Sequence, residues 1–246
     1  MHLDLKMLDE ALHSPDAKEW IEALQYKIKQ LEKLRTWEVV NLPPGQSAIP
    51  CSEVVRVKCG PNGEVQSYRV RIVAGGHRQV EGVNYNKTFS AVAEMPTVQV
   101  VLANAAQQNW EIEHVNVKSA YLNVLLKEEI YMRAPRGILK LGQEGKVLRL
   151  LKGLYGLKQA RRGWYLEMSN IFIKKLGFKW SAIDHSVFYQ RMAEEHTIVA
   201  VATNDMAVTS KRPADAQCFK SQIKEYWDIT NHGPIKWCLG FEIRRN

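Results

Sequence analysis

Val199-Ala200-Val201-Ala202-Thr203-Asn204-Asp205-Met206-Ala207-Val208-Thr209 sets two short apolar runs around a polar break that carries an Asn-Asp pair. Apolar runs of about four residues separated by turn-forming residues predict a buried β-hairpin. A carboxylate at the tip of such a hairpin is costly to bury unless a cation meets it, either a divalent metal or an Arg or Lys side chain. Asn and Asp are also common turn residues, so this stretch taken alone is satisfied by a plain hairpin turn.

Outward from the hairpin, strand and helix patterns alternate. Val187–Gln190 is the expected partner of Thr197–Val201, Pro213–Tyr226 is patterned as a basic amphipathic helix, and Trp237–Ile243 as a closing apolar strand. Upstream, Trp110–Val117 alternates as a strand with Ile112, His114 and Asn116 on one face. A compact turn follows at Lys118–Leu122, then short strands at Ile130–Met132 and Val147–Leu151 and a helix from Ala160 to about Leu176. Thr97–Gln108 predicts a helix with Val98, Val101, Leu102 and Ala105 inward. Nearer the N-terminus, Val54–Lys58 and Glu64–Val73 flank Cys59-Gly60-Pro61-Asn62-Gly63, whose Pro and Asn-Gly predict a second hairpin. Arg69 and Arg71 share one face of it, which suits a solvated surface or a phosphate clamp. Ser14-Pro15-Asp16 predicts a helix start with Ser14 as N-cap, followed by Trp20, Ile21, Leu24, Ile28, Leu31 and Leu34 at helical spacing. Hairpins with helices packed beside them predict an α+β architecture.

Composition narrows the class. Of 246 residues, 46% are hydrophobic and 24% charged, as in ordinary globular proteins. No apolar run approaches the roughly 20 residues that cross a bilayer, and the mixed charges of the first ten residues do not form a signal peptide. Cys51, Cys59, Cys218 and Cys238 form no CxxC pair. A Cys51/Cys59/His77 metal cluster is conceivable, but idle thiols in a reducing compartment suit the spacing better. The expected location is intracellular, in cytoplasm or nucleus. The net charge of +8 suits a polyanionic partner.

Together these segments carry a family resemblance. Tyr68-Arg69-Val70-Arg71-Ile72-Val73-Ala74 is similar to YKARLVA, and Gly82-Val83-Asn84-Tyr85 through Thr88-Phe89 to G-x-DY-x-x-TF. Val117-Lys118-Ser119-Ala120-Tyr121-Leu122-Asn123 resembles the segment after the Asp of DVKSAFLNG. Leu154-Tyr155-Gly156-Leu157-Lys158-Gln159-Ala160, with Arg162 and Trp164, resembles LYGLKQAPRxW, and Leu239-Gly240-Phe241-Glu242-Ile243 resembles LGxxI. With Thr36-Trp37-Glu38 and the Pro that follows, the order of motifs resembles the reverse transcriptase domain of copia-type LTR retrotransposons, from about Trp20 to Arg245. The resemblance implies a right-hand polymerase fold of fingers (roughly 14–109) and palm (110–246), with an antiparallel sheet backed by helices. It also implies RNA template and DNA primer as partners. No thumb, ribonuclease H, integrase or protease segment is recognisable, so the expectation is a fragment of the usual polyprotein.

The resemblance further implies three carboxylates around two Mg²⁺ ions, which activate the primer hydroxyl and neutralise the leaving pyrophosphate. Here the first position is Asn116, and the Tyr-Val-Asp-Asp turn reads Ala202-Thr203-Asn204-Asp205, so Asp205 alone remains as a metal ligand. Glu113 points to the face opposite Asn116 and Glu111 falls short of it, so neither substitutes. Other departures are Val124 for Gly, Arg161 for Pro, and Val54 for Trp. Arg69 and Arg71 keep the basic character used near the incoming triphosphate, and Gln159 stands where the nucleotide's sugar would be contacted. The sequence therefore predicts a catalytically impaired reverse transcriptase relic. The alternatives are a nucleic-acid-binding or interaction protein on the same scaffold, and an active polymerase with an unusual site. On this expectation, restoring Asn116→Asp and Asn204→Asp together rescues activity if the fold is intact. Lys174, Lys175, Lys220 and Lys224 are expected on solvated helix faces.

Overall fold

A computed structural model of the chain describes residues 7–60, 62–192, 195–238 and 241–244. In chain order its elements are α1 (Leu8–Leu12), α2 (Ala17–Lys33), β1 (Trp37–Val40), β2 (Ala48–Ile49), β3 (Cys51–Cys59) and β4 (Val65–Ala74). Next come α3 (Met95–Gln107), β5 (Glu111–Val117), β6 (Leu125–Arg133), β7 (Val147–Lys152) and α4 (Ala160–Lys174). The chain continues through β8 (Lys179–Trp180), β9 (Val187–Met192), β10 (Glu195–Ala202), β11 (Asp205–Ser210), α5 (Pro213–Lys224), β12 (Ile229–Pro234), β13 (Trp237–Cys238) and β14 (Phe241–Glu242). Two compact units result. One takes residues up to Thr88 with Val124–Gly163, the other Phe89–Asn123 with residues from Trp164 on. No helix among the described residues is long and apolar enough to cross a membrane.

In the first unit, α2 buries Trp20, Leu24, Ile28 and Leu31, the face its spacing predicted, while Ile21 stays exposed. The expected Ser14 cap is not formed. The Ser14 hydroxyl donates to the Ala11 carbonyl and closes α1, and α2 starts three residues later behind Asp16. A serine between two helices can serve either orphan carbonyls or orphan amides, and here it serves the carbonyl. At the other end of α2, Arg35 turns left-handed (φ 50°) and the buried Thr36 hydroxyl donates to the Leu31 carbonyl at 2.8 Å. Packed on α2 is the β3–β4 hairpin, with Trp20 edge-on to Tyr68 at 4.7 Å. Pro61 of its turn lies outside the described residues.

A second sheet in this unit has the order β1-β7-β6-β2. Its β2–β6 pair is parallel, a departure from the antiparallel expectation. No hairpin joins Ala48 to Tyr131, so the connection leaves their direction free. The Leu154–Ala160 run packs against the end of β4, where the Ala74 amide donates to the Tyr155 carbonyl at 2.8 Å. Gly156 adopts φ +91°, and a Cβ there would lie 2.0 Å from the Ala74 carbonyl oxygen. A Cβ on Gly76 would in turn lie 2.0 Å from the Gly156 oxygen. Only glycine fits either position.

The second unit is built on the sheet β12-β5-β11-β10-β9-β8, all antiparallel. The predicted central hairpin is present, with Ala202 opposite Asp205 across the two-residue turn Thr203-Asn204. On one face, Val98, Val101 and Ala105 of α3 meet Ile112, Ala200 and Ala207. The opposite face carries an aromatic cluster: Phe172 lies 5.0 Å from Phe188, 5.5 Å from Phe219 and 5.6 Å from Phe178. There Lys220 of α5 is buried and ion-paired with Glu113. It is not on the solvated face expected of it, whereas Lys174, Lys175 and Lys224 are exposed. The closing segment is two short strands, β13 and β14, paired antiparallel. Leu239 and Gly240, the first residues of the LGxxI motif, lie outside the described residues, as does Arg245.

Candidate active site

Strand register brings the three motif positions together at one end of the second unit's sheet. Asp205 sits directly opposite Asn116 on one side and Ala202 on the other. Asn204 is joined to the same place by its backbone, its carbonyl accepting the Val117 amide at 2.8 Å. Thr203 has φ +61°, the turn geometry that normally calls for glycine at the first central position. A β-branched residue in that region is strained. The strain is held from outside: the Trp164 indole N–H donates to the Thr203 carbonyl at 2.6 Å. Trp164 is 1% exposed and packs edge-on against Trp227.

The Asp205 carboxylate is engaged by protein donors. Its Oδ1 accepts from Asn116 Nδ2 at 2.8 Å and from His114 Nε2 at 3.0 Å. Because a carboxylate offers only acceptors, it takes the NH₂ end of the amide. The His114 ring stacks on His232 of β12 at 4.7 Å and 24°. Partial burial pushes the Asp205 carboxyl upward in pKa. The hydrogen bonds from His114 and Asn116, with the charges of His114 and His232, outweigh this and hold it below the ordinary aspartate value. Nearby, burial pushes the Cys238 thiol up, and the Asp205 charge adds to that.

These residues do not fit a pair of Mg²⁺ ions. Such ions take anionic oxygens, and here one carboxylate faces two amide-bearing positions while its Oδ1 is occupied by N–H donors. Among the described residues, no three His, Cys, Asp or Glu side chains are placed to hold a metal. The conceivable Cys51/Cys59/His77 cluster does not form. Cys51 and Cys59 stand at opposite ends of β3, roughly 26 Å apart at about 3.3 Å per residue. Burial, with help from Glu53, raises the Cys51 thiol to about 12.

The remaining candidates lie in the first unit. Arg69 and Arg71 are exposed, alternating with buried Val70 and Ile72. Arg56 is paired with Arg69 across the hairpin and therefore shares that face. The Arg71 guanidinium lies 5.9 Å from the Tyr155 ring centroid. Gln159, expected at the nucleotide's sugar, is buried in an amide network. Its Oε1 accepts from Gln79 Nε2 at 3.0 Å and its Nε2 donates to the Asn84 carbonyl at 2.8 Å. The Gln79 Oε1 accepts the Lys158 amide at 2.8 Å.

Sequence reasoning placed Asn116, Asn204 and Asp205 together but gave no role to His114, His232 or Trp164. The alternation already set His114 on the face of Asn116, so one signal was available. For His232, beside a bulge at Asn231/Gly233, there was none.

Comparison with known proteins agrees with this arrangement of motifs. Residues 34–246 match the family described as reverse transcriptase (RNA-dependent DNA polymerase), and the chain belongs to that family. Within it the domain is of the copia type. It is 31% identical over 239 residues to the retrovirus-related Pol polyprotein from transposon TNT 1-94 of Nicotiana tabacum, covering 97% of this chain and 18% of that one. It is 29% identical over 227 residues to the Pol polyprotein from transposon RE1 of Arabidopsis thaliana, covering 92% and 15%. With the transposon Ty1-OR Gag-Pol polyprotein of Saccharomyces cerevisiae it shares 30% over 251 residues, covering 96% and 14%. The chain thus spans less than a fifth of the length of these relatives.

Proposed function

We propose that this reverse transcriptase domain retains the polymerase scaffold but does not carry out Mg²⁺-dependent nucleotidyl transfer. On this reading residues 14–109 are mainly the fingers and 110–246 mainly the palm of a right-hand polymerase. The observation that carries the proposal is the state of Asp205: the one surviving carboxylate is already an acceptor for Asn116 and His114. Two neutral amides in place of two carboxylates remove most of the charge that would attract a dication. Primer extension on an RNA template, with Mg²⁺ and then Mn²⁺, tests this. The purified protein is expected to give no extended product, and extension with either ion overturns the proposal.

A second reading is favoured by the exposed face of Arg56, Arg69 and Arg71. Phosphate affinity needs cations rather than metal ligands, so a domain without chemistry can still bind a template–primer duplex. Affinity for an RNA–DNA duplex is then expected to fall steeply between about 50 and 200 mM salt. Absence of binding at the lower salt removes this reading. Arg69 and Arg71 are the proposed phosphate contacts, whereas Gln159 acts through the loop that it holds.

A further inference from the structure

Resting on the reading that the site does not hold Mg²⁺, we propose that His114 is a positioning residue that bars divalent cations. With Asn116 it fixes Asp205 as a hydrogen-bond acceptor. Restoring the two lost aspartates without removing His114 therefore leaves cation affinity weak.

Three observations converge on this. The first is occupancy. Asp205 Oδ1 accepts N–H groups whose nitrogens stand 3.0 and 2.8 Å away. A Mg²⁺ ion bound to that oxygen at about 2.1 Å would compete with both donors for its lone pairs.

The second is rigidity. The His114 side chain is 19% exposed, and its ring is stacked on His232. The backbone of His114 lies in the middle of β5, opposite Ala207 on one side and Gly233 on the other. Swinging the imidazole aside would break the stack and leave Asp205 with one donor fewer.

The third is placement. His114 and residue 116 project from the same face of one strand, two residues apart. An aspartate at 116 would replace the amide donor by an acceptor facing Asp205, and both carboxylates would then turn to the remaining donor nearby, the His114 N–H. The substitution meant to rebuild the metal site would strengthen the imidazole's hold on it. The sequence expectation that two aspartates suffice omits this third group.

Mn²⁺ binding, followed by loss of the free-ion electron paramagnetic resonance signal, reads the effect without depending on activity. The Asn116→Asp/Asn204→Asp protein is compared with the same protein carrying His114→Val, a substitution that keeps strand propensity and removes the donor. The triple variant is expected to bind Mn²⁺ at least tenfold more tightly than the double. Equal or weaker binding by a triple variant with parent-like circular dichroism overturns the proposal. Should His114→Val fail to fold, His114→Ala and His232→Ala in the same background carry the same test with the same expected direction. Primer extension by the unaltered protein separately decides whether the underlying reading fails, since that result does not depend on the double-to-triple comparison.

Discussion

The Leu154–Ala160 run and the Asn116/Asn204/Asp205 cluster are held in place by different forces. The first is held by sterics. A Cβ on Gly156 or Gly76 would come within 2.0 Å of a backbone oxygen, so any other residue disrupts the fold itself. In the second, no backbone clash fixes the side chains, and Asp205 is held by hydrogen bonds from Asn116 and His114. Residues packed against backbone cannot be enlarged without disturbing the fold, whereas polar side chains that bond one another tolerate an isosteric exchange more readily.

Substitutions can break or sharpen this contrast. The largest effect is expected from Gly156→Ala, which adds a methyl group onto the Ala74 carbonyl at φ +91°. A loss of more than about 3 kcal/mol in urea unfolding is expected, since strain and clash act together. A smaller loss would mean that the run yields as easily as the polar cluster.

Gly163 gives a finer test. A Cβ there would lie 2.5 Å from Val124 Cγ1. Gly163→Ala is expected to cost about 2 kcal/mol, and the cost should largely disappear when combined with Val124→Gly. A double-mutant cycle without coupling would show that the two positions do not share their space.

In the polar cluster, effects should be smaller and dependent on pH. The Asp205 carboxyl is held below its ordinary value, so it contributes stability that is present above the unfolded pKa, about 3.9. That contribution is lost as pH falls through the folded value. Asp205→Asn should therefore cost about 1 kcal/mol at pH 7, a low figure for bonds to a charged group because the side chain is 37% exposed. The difference from the parent should close as denaturation is repeated toward pH 3. A difference independent of pH would mean that the charge plays no part. Smallest of all, Thr203→Gly should stabilise by about 0.5 kcal/mol, relieving φ +61° against added chain entropy. Its thermal midpoint is the measurement, and a fall would show that Trp164 relies on more than the Thr203 carbonyl.

What the sequence disclosed follows the same division. The hairpin at Ala202–Asp205, the buried face of α2 and the site's three motif positions were legible because periodicity and motif order record backbone pairing. Ser14 and Lys220 were misplaced for different reasons: Ser14 lies between two nearby helix ends and served the other one, whereas Lys220 depends on a partner 107 residues away. The Glu113 carboxylate, like the Gln79 and Asn84 groups that Gln159 meets, leaves no periodic trace. His114 lay between these cases: its face was readable and its acceptor was not.

The arginines of β4 have a consequence for folding fidelity. Along this strand, Val70 and Ile72 face α2, while Arg69 and Arg71 face water. A slip of one residue against β3 would carry both guanidinium groups under the helix and both aliphatic side chains into solvent. Burying an unpaired guanidinium is among the costliest errors a strand can make. The arginines thus proofread the alignment of the hairpin, whether or not a phosphate ever reaches them.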